Sequence, residues 1–121
     1  MILFRHESTR LISMKHFIII QITVTNPKWI PGYLKNVIPL VEKYDGSYLT
    51  QTSKLEMIEG VGKSPRFALI IEFPSKEAFI SFYHCEEYQP YKQARQSGAE
   101  TQMLVVPEES SSQQRLLLGF L

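Results

Sequence analysis

Residues 54–95, KLEMIEGVGKSPRFALIIEFPSKEAFISFYHCEEYQPYKQAR, decide how this chain is read. Within them, Arg66 to Phe73 is apolar on both alternations, the mark of a strand covered on two sides. Pro74 cannot extend a ladder and stops it. Ser75 then offers a side-chain oxygen as N-cap, and Glu77 suits the positive first turn of a helix whose apolar stripe is Phe79, Phe82 and Tyr83. That helix breaks around Cys85 to Glu87 and resumes through Tyr88, Tyr91 and Arg95 to Ser97-Gly98.

Outward from this stretch, strand and helix signals continue to alternate. Thr101 to Val106 reads as a closing strand. On the other side, Ser47 to Ser53 and Lys54 to Glu59 read as bent or bulged strand segments, with a loop from Gly60 to Pro65. His16 to Val24 is a strand rich in β-branched residues, again apolar on both alternations. Asn26 caps and Pro27 starts a core-facing helix whose apolar positions Ile30, Leu34, Val37, Val41 and Tyr44 recur at helical spacing. Pro31 and Pro39 each remove a backbone donor, so this helix is expected to be kinked or irregular and to end at Asp45-Gly46.

The order is β-α-β-β-α-β, which predicts an α+β, ferredoxin-like fold: an antiparallel sheet with both helices on one face. The other face carries Phe, Ile, Leu and Ala, and a bare apolar sheet is an association site. The simplest closed solution is a twofold homodimer with its sheets face to face.

A length of 121 residues fits one domain, and 44% hydrophobic with 21% charged residues is ordinary for a globular protein. A formal charge of +1 provides no general attraction to nucleic acid or to an anionic membrane, so neither is expected as a partner. The single Cys85 cannot close an intramolecular disulfide, which suits a reducing compartment and gives the cytoplasm as the expected location. The apolar run Phe17 to Ile20 is far shorter than the roughly 20 residues that span a bilayer.

The ends differ from the middle. Residues 1–13 carry scattered charges and are expected to be an extension of a domain running from Met14 to Pro107. The charge-then-apolar order resembles a signal peptide, but Asn26-Pro27 stands where a small-residue cleavage site belongs. Residues 108–121 open with EESSSQQ, too polar to order itself, and close with RLLLGFL, which either docks or stays disordered.

From Phe17 to about Pro107 the chain resembles the domain-of-unknown-function family 1330, within the wider dimeric α/β-barrel superfamily. The residues that carry the resemblance are Asn26-Pro27 with Tyr33, then Asp45-Gly46-Ser47-Tyr48, Glu59-Gly60, Glu72-Phe73-Pro74-Ser75, and Tyr83 leading through Glu87-Tyr88-Gln89 to Arg95. Phe82 and Cys85 stand where the family tends to have tryptophan and serine, and Pro31-Gly32 interrupts a helix usually kinder to helix formation. The resemblance implies a dimeric barrel. The superfamily includes cofactor-free monooxygenases, haem enzymes, small-molecule isomerases and ligand-sensing domains, among which fold alone does not choose.

Candidate residues are the polar ones on apolar elements. Glu72 lies among Leu69, Ile70, Ile71 and Phe73, where an unpaired carboxylate is costly, and Arg95 is its expected partner, as a structural ion pair or as an acid and clamp at a site. Glu59 beside Gly60 is a second candidate acid or base at the barrel mouth. Tyr83, Tyr88, Arg95 and His84 are candidate ligand contacts, with packing as the plainer role for the tyrosines. His84 and Cys85 are neighbours whose side chains diverge on a helix, so no metal is expected; a lone axial histidine for haem is the only cofactor role His84 suggests. No Ser-His-Asp arrangement, phosphate loop or dinucleotide fingerprint is present, and no cofactor is expected. The function predicted is small-molecule binding by a homodimer, with or without cofactor-free catalysis; a sensing or purely structural dimer is the alternative.

Overall fold

The structure, a computed structural model, describes residues 14–109 and 118–119. The expected extension at 1–13 and most of the tail lie outside them. Strand β1 is His16–Val24, followed by a 3-10 turn at Pro27–Trp29 and helix α1 at Ile30–Lys43. Strands β2 (Ser47–Thr52) and β3 (Phe67–Phe73) precede helix α2 (Lys76–His84), a 3-10 turn at Glu86–Tyr88, helix α3 (Gln89–Gly98) and strand β4 (Ala99–Pro107). The four strands are ordered β2-β3-β1-β4, every neighbouring pair antiparallel, which is the ferredoxin-like arrangement.

Register assigns each residue to a face. Ile18 lies opposite Ile71 and Val105, and Ile20 opposite Leu69 and Met103. These rows meet the helices: Ile18, Ile20, Ile22, Ile71 and Phe73 are buried together with Val37, Leu40 and Val41 of α1 and Phe79 and Phe82 of α2. Period-two burial on β1 and the helical recurrence of Val37 and Val41 thus build one core between two layers. The alternate rows form the open face: Ser47, Glu72, Phe17 and Val106 in one, and Thr50, Ile70, Ile19 and Leu104 in the next. Leu104 is 52% exposed there.

The caps read from the sequence are made. Asn26 Oδ1 accepts from the Lys28 amide at 3.1 Å, and Ser75 Oγ accepts from the Ala78 amide at 3.0 Å. Pro31 falls in the first turn of α1, where no donor is needed, and Pro39 is inside the helix but exposed, where water can reach the carbonyl left without a partner. Helix α1 stops because Asp45 turns into the left-handed region, φ 68°, and Gly46 packs where a Cβ would meet the Phe73 ring at 2.9 Å.

Two expectations need correction. Residues 54–59 are not strand: β2 ends at Thr52 after a register shift between Tyr48 and Thr50, and 53–66 is one exposed connection whose glycines Gly60 and Gly62 both have positive φ. Strand β4 starts at Ala99 rather than Thr101, because the Gly98 carbonyl hands the chain directly from α3 into the sheet. That carbonyl accepts from the Thr25 and Asn26 amides, each at 2.9 Å, and from Trp29 Nε1 at 3.1 Å. A side chain at Gly98 would collide with the Trp29 ring, so only glycine allows this approach.

Candidate functional site

The break between α2 and α3 is what creates the site. Cys85 leaves the helix in extended conformation, and the Gln89 side-chain amide donates to the Tyr83 and Cys85 carbonyls, at 3.0 and 2.8 Å, bridging the gap. The bend turns Tyr88 inward until it is 1% exposed, its ring centroid 4.4 Å from that of Phe82. From α1, Tyr33 reaches the same place, its hydroxyl 2.6 Å from the Tyr88 hydroxyl. Trp29 sits edge-on to Tyr33 with centroids 5.2 Å apart.

Arg95 arrives on α3, seven residues after Tyr88, and is the one buried charged residue among those described, 3% exposed. Its Nη2 donates to the Tyr88 hydroxyl at a long 3.4 Å. Arginine only donates, so Tyr88 accepts there, and in the bond between the two phenols either hydroxyl can be the donor. No carboxylate pairs with Arg95 among the described residues, whose two salt bridges are Lys15–Glu72 and Lys43–Glu87. Burial works against the guanidinium's charge, and the oxygens of Tyr88 and Tyr33 outweigh it, holding the Arg95 pKa above its usual value. Burial, reinforced by Tyr88, pushes the Tyr33 phenol well above the ordinary tyrosine range; burial, then Tyr88 and Glu42, do the same to Tyr48. These two phenols stay protonated at neutral pH. They can donate hydrogen bonds and cannot act as bases.

Beside Arg95 lies a cavity of about 170 Å³ at the β4 edge of the sheet, lined by Tyr83, Arg95, Gln96, Ala99, Thr101 and Met103. A second, narrow seam of about 30 Å³ lies between the sheet and the helices, and Arg95 and Met103 border both spaces. Tyr33, Tyr48 and Tyr88 stand along the seam. Among the described residues, two buried side-chain polar atoms lack a hydrogen-bond partner: Arg95 Nε and Thr101 Oγ1. Both residues line the cavity. The arrangement can receive negative charge; it offers no group to abstract a proton.

The candidate residues are thus divided. Tyr83, Tyr88 and Arg95 are brought together. Glu72 is not with them: it projects from the open face of the sheet, whereas Arg95 packs on the helix face, so the expected Glu72–Arg95 pair does not form. Glu72 instead lies 3.7 Å from Lys15 Nζ. Glu59 is exposed in the β2–β3 connection, and His84 is exposed at the end of α2, its ring perpendicular to that of Tyr83. Tyr33 was named only among the residues that carry the family resemblance, and Thr101, Met103 and Gln96 were not candidate site residues either. Tyr33 follows Trp29 at one helical turn, and Thr101 shares its strand face with Met103, which are the signals that would have found them. Among the described residues, no group of three or more His, Cys, Asp or Glu could hold a metal ion, and no helix is long and apolar enough to cross a membrane.

With this geometry in view, comparison with known proteins gives a family. The family described as Domain of unknown function (DUF1330) matches residues 15–108. The chain belongs to it. No curated protein matches the chain. Among solved structures, a protein of unknown function from Rhodopseudomonas palustris is similar over 88% of this chain and 94% of its own, with 13% identity and a TM-score of 0.72. SnoaB, a cofactor-independent oxygenase from Streptomyces nogalater, is similar over 83% of this chain and 98% of its own, with 11% identity and a TM-score of 0.58. A hypothetical protein from Arabidopsis thaliana is similar over 83% and 91%, with 15% identity and a TM-score of 0.56. At these identities the likeness is one of fold, and it bears out the ferredoxin-like α+β class, while the match over residues 15–108 bears out the family resemblance read from the sequence.

Proposed function

We propose that this DUF1330 protein binds a small molecule in the cavity beside Arg95 and does so as a homodimer. The observation that carries the reading is that the two residues with an unpartnered buried polar atom, Arg95 at Nε and Thr101 at Oγ1, both line one cavity. A buried donor without an acceptor costs about 1–3 kcal/mol, more when charged, and a bound ligand removes that cost. SnoaB is a cofactor-independent oxygenase, and of such chemistry this site supplies only donors for a negative charge, at Arg95 and Thr101; removing a proton from the ligand would need a base that the cavity lining lacks. Glu72 and Glu59 are too differently placed to serve that step within one chain.

Thermal unfolding in the presence of a set of compact acids, amides and alcohols tests the reading, with Met103→Trp as the variant that fills the cavity. Ligand should raise the melting temperature of the parent by several degrees and leave the filled variant unmoved. Equal responses would refute it. Dimerisation is supported by Phe17, Ile19, Ala68, Ile70 and Leu104 on the open face, apolar side chains that a second copy would cover. Sedimentation should give a dimer at micromolar concentration and a folded monomer for Leu104→Lys; a monomeric parent would end the shared-barrel reading.

A further inference from the structure

We propose that the cavity takes a small organic carboxylate, its oxygens meeting Arg95 and the Thr101 hydroxyl and its apolar body resting against Tyr83, Ala99 and Met103. The proposal rests on the small-molecule reading above and adds the chemistry of the ligand.

Charge comes first. Arg95 is a permanent cation, 3% exposed, with a donor aimed at nothing and no acid beside it. None of the residues that line the cavity is acidic, and α3, QPYKQARQSG, contains no aspartate or glutamate. Lys92, one turn before Arg95, caps the Tyr83 ring with its Nζ 4.3 Å from the centroid, placing a second cation beside a cavity-wall residue. A neutral ligand would leave the buried charge uncompensated, and a second cation would be repelled.

Geometry narrows the anion. A guanidinium presents parallel donors in a plane, which fits the two oxygens of a carboxylate, and the Thr101 hydroxyl supplies a further donor from the strand opposite. Ala99, Met103 and the Tyr83 ring border the same space beside Gln96, and they give the apolar part of an organic acid a wall to rest on within a lining that is more polar than apolar. At about 170 Å³ the space is well below the roughly 300–1,000 Å³ of drug-sized sites, which selects a compact acid.

Calorimetric titration of the full chain at low salt tests this, using benzoate and 4-methylpentanoate, their neutral amides, and inorganic phosphate. At least one acid should bind ten-fold or more tighter than its amide and than phosphate. Thr101→Val, nearly isosteric, should weaken the acid about ten-fold and leave the amide unchanged, as should Arg95→Lys, which keeps the charge but loses the fork. Amides binding as tightly as acids would overturn the carboxylate assignment while leaving the small-molecule reading intact. Phosphate binding as tightly as the acids would overturn the organic ligand. Failure of every probe, together with a melting temperature in Met103→Trp that no compound distinguishes from the parent, would overturn both.

Discussion

Glu72 and Arg95 occupy opposite faces of one sheet and have opposite fates. On the open face, Glu72 is partly exposed and finds a loose surface partner in Lys15, whose side chain is 51% exposed. On the helix face, Arg95 is enclosed by aromatic rings and has only a long bond to Tyr88. Within one chain the acid sits where water and Lys15 can solvate it. The cation sits where its charge is expensive, and the fold gives it no counterion. A charge retained without a structural partner points to a partner outside the chain.

The contrast between the faces can be broken at several places. The largest effect is expected from Phe73→Ala: Phe73 is 1% exposed and touches Phe79 and Phe82, with centroids 5.5 and 6.0 Å away, so denaturant unfolding should show a loss of about 3–5 kcal/mol. A loss under 1 kcal/mol would mean that the helix face is not the main core. Alkaline unfolding comes next. Folding raises the Tyr33 pKa, so above its ordinary value of about 10 the unfolded chain releases a proton that the folded one keeps. The unfolded state then binds fewer protons, and stability falls by about 1.4 kcal/mol for each pH unit beyond 10. Tyr33→Phe should flatten that slope by the same amount; an unchanged slope would show that Tyr33 ionises freely in the folded chain. The smallest effect is expected at Glu72, where Glu72→Gln should change stability by no more than about 1 kcal/mol, since an exposed pair contributes little. A larger loss would give Glu72 a buried partner, such as one across a dimer interface.

The ferredoxin-like order was legible because its signals are local. Pro74 and Ser75 mark the β3–α2 junction, Cys85 the helix break, and Asn26-Pro27 the entry to the first helix. What could not be read was which face each strand residue meets. Period-two parity assigns faces only when one alternation is polar, and in His16–Val24 and Phe67–Phe73 both alternations are apolar. Glu72 was therefore matched with Arg95 across a sheet that separates them. Thr101 escaped notice for a related reason: one threonine at a strand start looks like any β-former until the fold sets it opposite Ile22 and beside the cavity. Residues 54–59 misled because apolar Leu55, Met57 and Ile58 imitate a strand, although Ile58 is 84% exposed.

The melting temperature of Arg95→Met, measured with and without benzoate and 4-methylpentanoate, bears most directly on the central claim that the Arg95 charge serves a ligand. A shorter, unbranched apolar chain removes the guanidinium charge, and Tyr33 and Tyr88 can keep their mutual hydrogen bond. The account predicts a variant that melts at or above the parent and no longer responds to the acid. Marked destabilisation, of the 3–5 kcal/mol expected when a buried ion pair is broken, together with an undiminished response to the acid, would contradict it.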